Sequence, residues 1–224
     1  MSTINTSNIK LDFIERRKFL LISSGAVYGR QPPELSHIPE EYCSAPDPLN
    51  PLSAYGERKR AAEMLCAIAA KKNGLEMKIA RCFAFVGPHL PLDLHYAIGN
   101  FIRDALKGGP IVVKGDGTPL RSYLYASDLA IWLWTILFNG KNCRAYNVGS
   151  DIVVSIAELA DIVKRNSPGI IKVHLGKEPL PGSIPERYVP SVERAKTELK
   201  LTELVDLNTA IQNTENWLLK KIDK

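Results

Sequence analysis

With 224 residues, 45% of them hydrophobic and 24% charged, the chain has the composition of a globular protein able to bury a core, as one large domain or two modest ones. Its formal charge of +5 falls in small clusters, Arg16-Arg17-Lys18, Arg58-Lys59-Arg60 and Lys220-Lys221, with no aromatic interleaving, so no nucleic-acid partner is expected. The longest apolar candidate, LAIWLWTILF at 129–138, is too short to span a bilayer, and residues 1–21, polar with only a short apolar run, lack the charged-then-apolar order of a signal peptide.

Residues 18–24, KFLLISS, read as a buried strand ending in two hydroxyls. Six prolines between 31 and 52 (Pro32, Pro33, Pro39, Pro46, Pro48 and Pro51) force a long loop, because each fixes φ and removes a ladder donor. Ser53 then reads as the N-cap of a helix that carries Lys71 and Lys72 at the negative end of its dipole and stops at Gly74. EMKIARCFAFVGP follows as one strand ended by Gly87-Pro88, giving the strand–helix–strand order of a parallel α/β unit.

Beyond it, 95–107 reads as a helix, on which Asn100 is taken as surface decoration. IVVKGDGTPLRSYLY reads as two short strands around a Gly-Asp-Gly turn. SDLAIWLWTILFNG reads as a helix capped by Ser127 and apolar nearly all round, with both Trp132 and Trp134 in the core. AYNVGS is a short strand, and Ser155 with Glu158 forms a capping box for the helix ending before Pro168-Gly169. Amphipathic helices near 191–199 and 207–221 close the chain. The four cysteines (Cys43, Cys66, Cys82 and Cys143) are far apart with no C-x-x-C pair, which suggests reduced thiols in a cytoplasmic setting and no metal site.

Tyr55 and Lys59 stand four apart on the first helix and therefore share a face, one turn from each other. A phenol with a pKa of about 10 is a poor base at neutral pH, and a neighbouring ammonium pulls that value down, which makes Tyr55 a candidate general acid–base. The ordered set LLISSGAVYG, PLSAYGERKRAAE, IARCFAFVGP, FIRDALKGGPIVVKGDGTPLRSYLYASDLA, YNVGS and RYVPSVERAKTELKL resembles the extended short-chain dehydrogenase/reductase family. This is the group of NAD-dependent nucleotide-sugar epimerases, dehydratases and reductases.

That resemblance implies an α/β fold: a partial Rossmann-like parallel sheet with a smaller mixed C-terminal substrate-binding domain. Residues 1–88 would belong to the NAD-binding part, rejoined by about 120–150, and 89–224 mainly to the substrate part. It implies NAD or NADP as cofactor and a nucleotide-diphosphate sugar as substrate, with Tyr55 exchanging a proton with the sugar oxygen. Ser24 would hydrogen-bond the same atom, and Lys59 would hold the nicotinamide ribose. Arg81 and Phe83 would lie at the cofactor, Arg121 and Arg187 at the substrate diphosphate, and a homodimer would form through the Tyr55–Lys59 helix.

Gly25-Ala26 replaces the Asp-Glu pair with which the dehydratases of the family eliminate water, and Ala26 has no side chain to invert a centre through an enol. Hydride chemistry remains: 4-epimerisation or 4-ketoreduction. Ala84 stands where the family's R-x-F-N motif has asparagine. No glycine-rich turn precedes residue 25 to cradle a pyrophosphate, which corresponds to roughly 100 residues of a nucleotide-binding half and argues against NAD binding by this chain alone. The reading set against the enzyme is an inactive remnant serving as a substrate-binding or interaction module.

Overall fold

In the computed structural model, which describes residues 18–94 and 96–222, β1 spans Lys18–Ser24 and runs directly into a 3₁₀ turn at Gly25–Tyr28. The proline-rich loop closes through a second 3₁₀ turn, Pro51–Ser53, which continues into α1 (Ala54–Asn73). Ser53 is therefore already in a helical conformation and its side chain makes no capping bond. Asn50 does the capping, its side chain accepting from the Leu52 N–H. Gly74 ends α1 at φ 65, a left-handed conformation suited to a residue without Cβ, and its N–H closes on the Ala70 carbonyl.

β2 (Glu76–Cys82) lies parallel to β1 with Ser24 opposite Cys82. The apolar run expected as one strand breaks here. Phe83 N–H still bonds the Val148 carbonyl, but the Ala84 carbonyl accepts from Leu124, and Phe85–Val86 forms a separate β3. α2 (Ala97–Leu106) buries Ile98, Phe101, Ile102 and Ala105, the spacing of one helical face. β4 (Ile111–Val113), β5 (Leu120–Arg121) and β6 (Leu124–Tyr125) follow. None pairs with another, so the Gly-Asp-Gly segment joins strands of different sheets.

α3 (Ala126–Asn139) starts two residues earlier than expected, with Tyr125 at the cap position and Ser127 inside the first turn. Its buried acid is Asp128, whose Oδ2 accepts from the Leu204 and Val205 N–H groups at 2.9 and 3.1 Å and so fastens the C-terminal segment. Trp132 is buried as expected, but Trp134 is 62% exposed and stacks on Phe138 at 5.6 Å. The all-round apolar pattern hid which side faces the sheet. The remaining elements are β7 (Arg144–Val148), β8 (Val154–Ser155), α4 (Ile156–Asn166), β9 (Val173–Leu175), β10 (Arg187–Tyr188), α5 (Glu193–Leu199) and α6 (Leu207–Ile222). The Ser155–Glu158 capping box on α4 is formed as read.

The main sheet has the order β1-β2-β7, all parallel, and the smaller ones are β10-β5-β8, β3-β6 and β4-β9. One apolar core joins Ala80, Tyr146 and Val148 of the main sheet to Trp132 and Ile136 of α3 and Ala195 of α5. A second packs α2, α4 and α6 around Ile111 and Val113 of β4. The carboxyl ends of β1 and β2 point toward the seam between these cores, where open parallel sheets bind ligands. Among the described residues, no helix is long and apolar enough to cross a membrane, and no cluster of three or more His, Cys, Asp or Glu side chains is arranged to hold a metal ion.

Candidate active site

At the end of β1 the Ser24 backbone is extended, and its buried Oγ accepts from the Ala26 N–H at 3.1 Å, turning the chain into the 3₁₀ turn. Tyr55, in the first turn of α1, is 48% exposed. Both line a cavity of about 590 Å³ together with Phe83, Tyr96, Arg121 and Tyr188. Lys59 Nζ lies 5.8 Å from the Tyr55 ring centroid and donates to the Ile22 carbonyl of β1 at 2.7 Å. The Arg58 guanidinium lies 5.7 Å from the same ring. The phenol thus has cationic neighbours on its own helix and opens toward the hydroxyl-bearing end of β1.

Gly25 is fixed by its surroundings. A Cβ there would fall 2.6 Å from Phe83 Cζ and 2.6 Å from Tyr188 Oη, so this turn accepts no side chain. The Phe83 and Tyr188 rings pack at 4.7 Å. Burial pushes the Tyr188 phenol well above the ordinary tyrosine range, and a side-chain hydrogen bond with Ser24 acts against that rise. Burial likewise raises Tyr123, another lining residue, to about 12, with Arg121 opposing. The cavity is aromatic and polar at its hydroxyls, and among the described residues no carboxylate lines it.

Arg121 stands where this cavity meets a second one of about 470 Å³, which is lined by Asn100, Arg103, Lys114 and Gly115 among others. Its Nη2 donates to Glu186 at 2.8 Å and its Nη1 to the Leu120 carbonyl at 2.9 Å, which fixes the guanidinium at the junction. Asn100, read from the sequence as decoration, lines the second cavity and accepts from Arg103 Nη1 at 3.1 Å.

Ser24, Tyr55, Phe83 and Arg121 are thus brought together, with Lys59 beside Tyr55. Arg81 and Arg187 are placed elsewhere. Arg81 donates to both Glu63 oxygens at 3.1 and 2.8 Å and to Tyr28 Oη at 2.9 Å, so its guanidinium is spent behind β2, away from the Tyr55 cavity. Burial pushes the Tyr28 phenol up to about 12, against the pull of Arg81. Arg187 donates to the Ser36 carbonyl at 3.3 Å, while its strand neighbour Tyr188 takes the cavity side. Side chains alternate along a strand, so Arg187 and Tyr188 face opposite sides, and it is Tyr188 that lines the cavity. The missed aromatic was legible only through its pairing with Arg121, its partner on β5.

A parallel sheet flanked by helices, with a serine at a strand end and a tyrosine–lysine pair on the next helix, defines a Rossmann-like α/β protein with a ligand cleft at its carboxyl edge. The chain belongs to the NAD dependent epimerase/dehydratase family, whose model matches residues 4–149. Among curated relatives, UDP-glucuronic acid decarboxylase 1 of Xenopus tropicalis is 31% identical over 226 residues, covering 99% of this chain and 52% of that protein. UDP-glucuronic acid decarboxylase 5 of Arabidopsis thaliana is 32% identical over 182 residues, covering 81% of this chain and 52% of that one. The chain therefore spans about half the length of the curated relatives it matches. A solved UDP-glucose 4-epimerase superposes with a TM-score of 0.78 at 26% identity, covering 95% of this chain and 68% of its own. The UDP-glucose 4-epimerase of Thermotoga maritima, solved with UDP-glucose, superposes at 0.77 with 22% identity over 96% of this chain and 69% of its own, a likeness of fold.

Proposed function

We propose that this chain carries the acid–base and substrate-holding part of an NAD(P)-dependent nucleotide-sugar enzyme working by hydride transfer at sugar C4, as a 4-epimerase or 4-ketoreductase. The observation that carries the reading is the shared cavity: Ser24 and Tyr55 at one end, and Arg121 at the junction with a second cavity that has room for a nucleotide. Several solved members of the fold are complexes with NAD or NADPH, and others with UDP-sugars, which supports the same cofactor and substrate class here.

The residues fit the nicotinamide end of such a cofactor. Tyr55 and Lys59 would hold its ribose, and Phe83 would flank it; a pyrophosphate cradle does not occur among the described residues. Bound NAD or NADP would supply the hydride acceptor and, in reverse, the donor. Ser24 then donates a hydrogen bond to the sugar oxygen, Tyr55 takes that oxygen's proton as the ketone forms and returns it on reduction, and Arg121 grips the diphosphate with its planar fork.

The relatives favour one variant of this chemistry. Oxidation at C4 of a UDP-glucuronic acid places the C5 carboxylate β to a ketone, and such an acid loses CO2 with its electron pair held in the enolate. The enolate then takes a proton from solvent at C5, regenerating the C4 ketone for reduction; breaking the C–C bond itself needs no carboxylate at the turn, where this chain has Gly25-Ala26. The non-catalytic reading, a sugar-nucleotide binding module, has in its favour that Lys59 is engaged by Ile22.

The test supplies NAD with UDP-glucuronic acid or UDP-glucose and follows nicotinamide reduction and sugar products. Tyr55→Phe is expected to lower turnover by about 10²-fold or more, the usual contribution of a positioned acid–base. Undiminished turnover in that variant removes the assignment, and absence of NAD binding by the wild type leaves the binding module.

A further inference from the structure

β1 ends in two hydroxyls, and only the second lines the cavity. Successive side chains of a strand point to opposite faces, so Ser23 turns to the α1 side. It is buried, and its Oγ donates to Glu63 Oε1 at 2.5 Å. Arg81 stands opposite Ser23 in the β1–β2 register and donates to the same carboxylate, Nε to Oε1 at 3.1 Å and Nη2 to Oε2 at 2.8 Å. A single carboxylate on α1 thus closes on neighbouring donors of two strands, with both of its oxygens engaged. Tyr55 stands two helical turns before Glu63 on the same stripe of α1. Its neighbour Gly56 seats the start of the helix directly on the turn after Ser24, since a Cβ there would lie 2.6 Å from the Ala26 carbonyl oxygen.

We propose that Glu63 is a positioning residue for Tyr55: by holding Ser23 and Arg81 together it fixes where α1 lies along β1 and β2, and so the distance of the phenol from Ser24. The inference rests on the sugar-nucleotide reading given above. The contact at Gly56 sets how closely the helix approaches the turn, but contact at one point leaves a helix free to slide and swing. An anchor two turns further on removes that freedom, and hydrogen bonds to a charged acceptor are the short, strong kind that hold a geometry. The requirement is strict, because a reacting group displaced by about 1 Å loses much of its effect. Ser23 and Glu63 do not line the Tyr55 cavity, so any influence on a ligand passes through residues that do. The two hydroxyls that end β1 then have separate tasks: Ser24 meets the sugar oxygen, and Ser23 holds the helix that brings the phenol to it.

The experiment is a double-mutant cycle on ligand binding by the full chain, read by calorimetry with UDP-glucose and with UDP as probes. The proteins are the wild type, Ser23→Ala, Tyr55→Phe and the double variant. Ser23→Ala and Tyr55→Phe are each expected to lose about five-fold in affinity for UDP-glucose, the equivalent of one neutral hydrogen bond. The double variant loses no more than Tyr55→Phe alone, and UDP affinity is unchanged in all. Ser23→Thr, which keeps the hydroxyl, is expected to bind as wild type does. Arg81→Met combined with Glu63→Leu, which fills the space without the carboxylate, is expected to show the same loss while its far-UV circular dichroism stays that of wild type. A Ser23→Ala protein indistinguishable from wild type overturns the proposal, as do additive losses in the cycle or a Ser23→Thr protein as weak as Ser23→Ala. A general structural defect lowers UDP and UDP-glucose binding together, and that outcome overturns it too. Wild-type protein that binds neither probe overturns the sugar-nucleotide reading and this inference with it. Normal wild-type binding with an additive cycle overturns the inference alone.

Discussion

Replacing Arg81 by alanine removes the guanidinium that neutralises Glu63 behind the main sheet. The pair is well shielded, with side-chain exposures of 18% for Arg81 and 12% for Glu63, and the arginine also donates to Tyr28 Oη, which in turn donates to Asn147. Ser23, next to the candidate catalytic serine, donates to the same Glu63 carboxylate at 2.5 Å. Removing one member leaves a buried carboxylate without its counter-charge, a loss of about 3–5 kcal/mol. For a chain of this size that corresponds to a fall in melting temperature of about 6–20 °C. Urea unfolding followed by far-UV circular dichroism measures it, with the midpoint moving and the slope unchanged. The paired replacement Arg81→Met with Glu63→Leu is expected to recover most of the loss, because desolvating the ion pair is itself costly. A loss below about 1 kcal/mol in Arg81→Ala, or a double variant as unstable as the single, would refute the claim that this pair is structural.

Two further outcomes follow from other buried groups and surfaces. Burial raises the carboxyl of Glu215 above its ordinary value, against the hydrogen bond donated by Ser167. The folded state therefore holds this proton more tightly than the unfolded one, and the resulting penalty grows as pH rises above the unfolded value of about 4.3. Glu215→Gln is expected to unfold at higher urea than wild type at pH 7 and to converge with it near pH 4; a gap that does not widen with pH refutes this. On α1, Met64, Leu65 and Ile68 are exposed, and a homodimer through this helix is expected in solution. Light scattering should then give twice the chain mass for wild type and the single mass for Leu65→Lys combined with Ile68→Lys, whereas a monomeric wild type removes the proposal.

The succession of elements was legible because its signals are local: alternating or continuous apolar runs, the prolines of 31–52, Gly74 as a helix stop, and the Ser155–Glu158 box. What misled was any feature decided by packing. Ser53 and Ser127 look like caps, yet α1 is entered through a 3₁₀ turn capped by Asn50 and α3 begins at Ala126, so both serines lie inside helical turns. Trp132 and Trp134 differ by two positions on a helix, nearly opposite sides, and only the docking of α3 on the sheet tells them apart. Tyr55, Ser24 and Arg121, which line one cavity, each sit in a motif with fixed spacing. Tyr188 was hidden because its motif advertised the arginine beside it, and Arg81 because its partner Glu63 lies 18 positions away on another element.

The Lys59–Ile22 contact ties the helix to the strand that ends in the serine. It sets the rotation of α1 about its own axis, and hence the aim of the phenol one turn earlier. Exchanging this lysine for methionine would therefore loosen the aim of Tyr55 as well as remove a positive charge, so a lower rate in that variant would mix two effects. An arginine at the same position, able to reach the same carbonyl while keeping the charge, would help separate them.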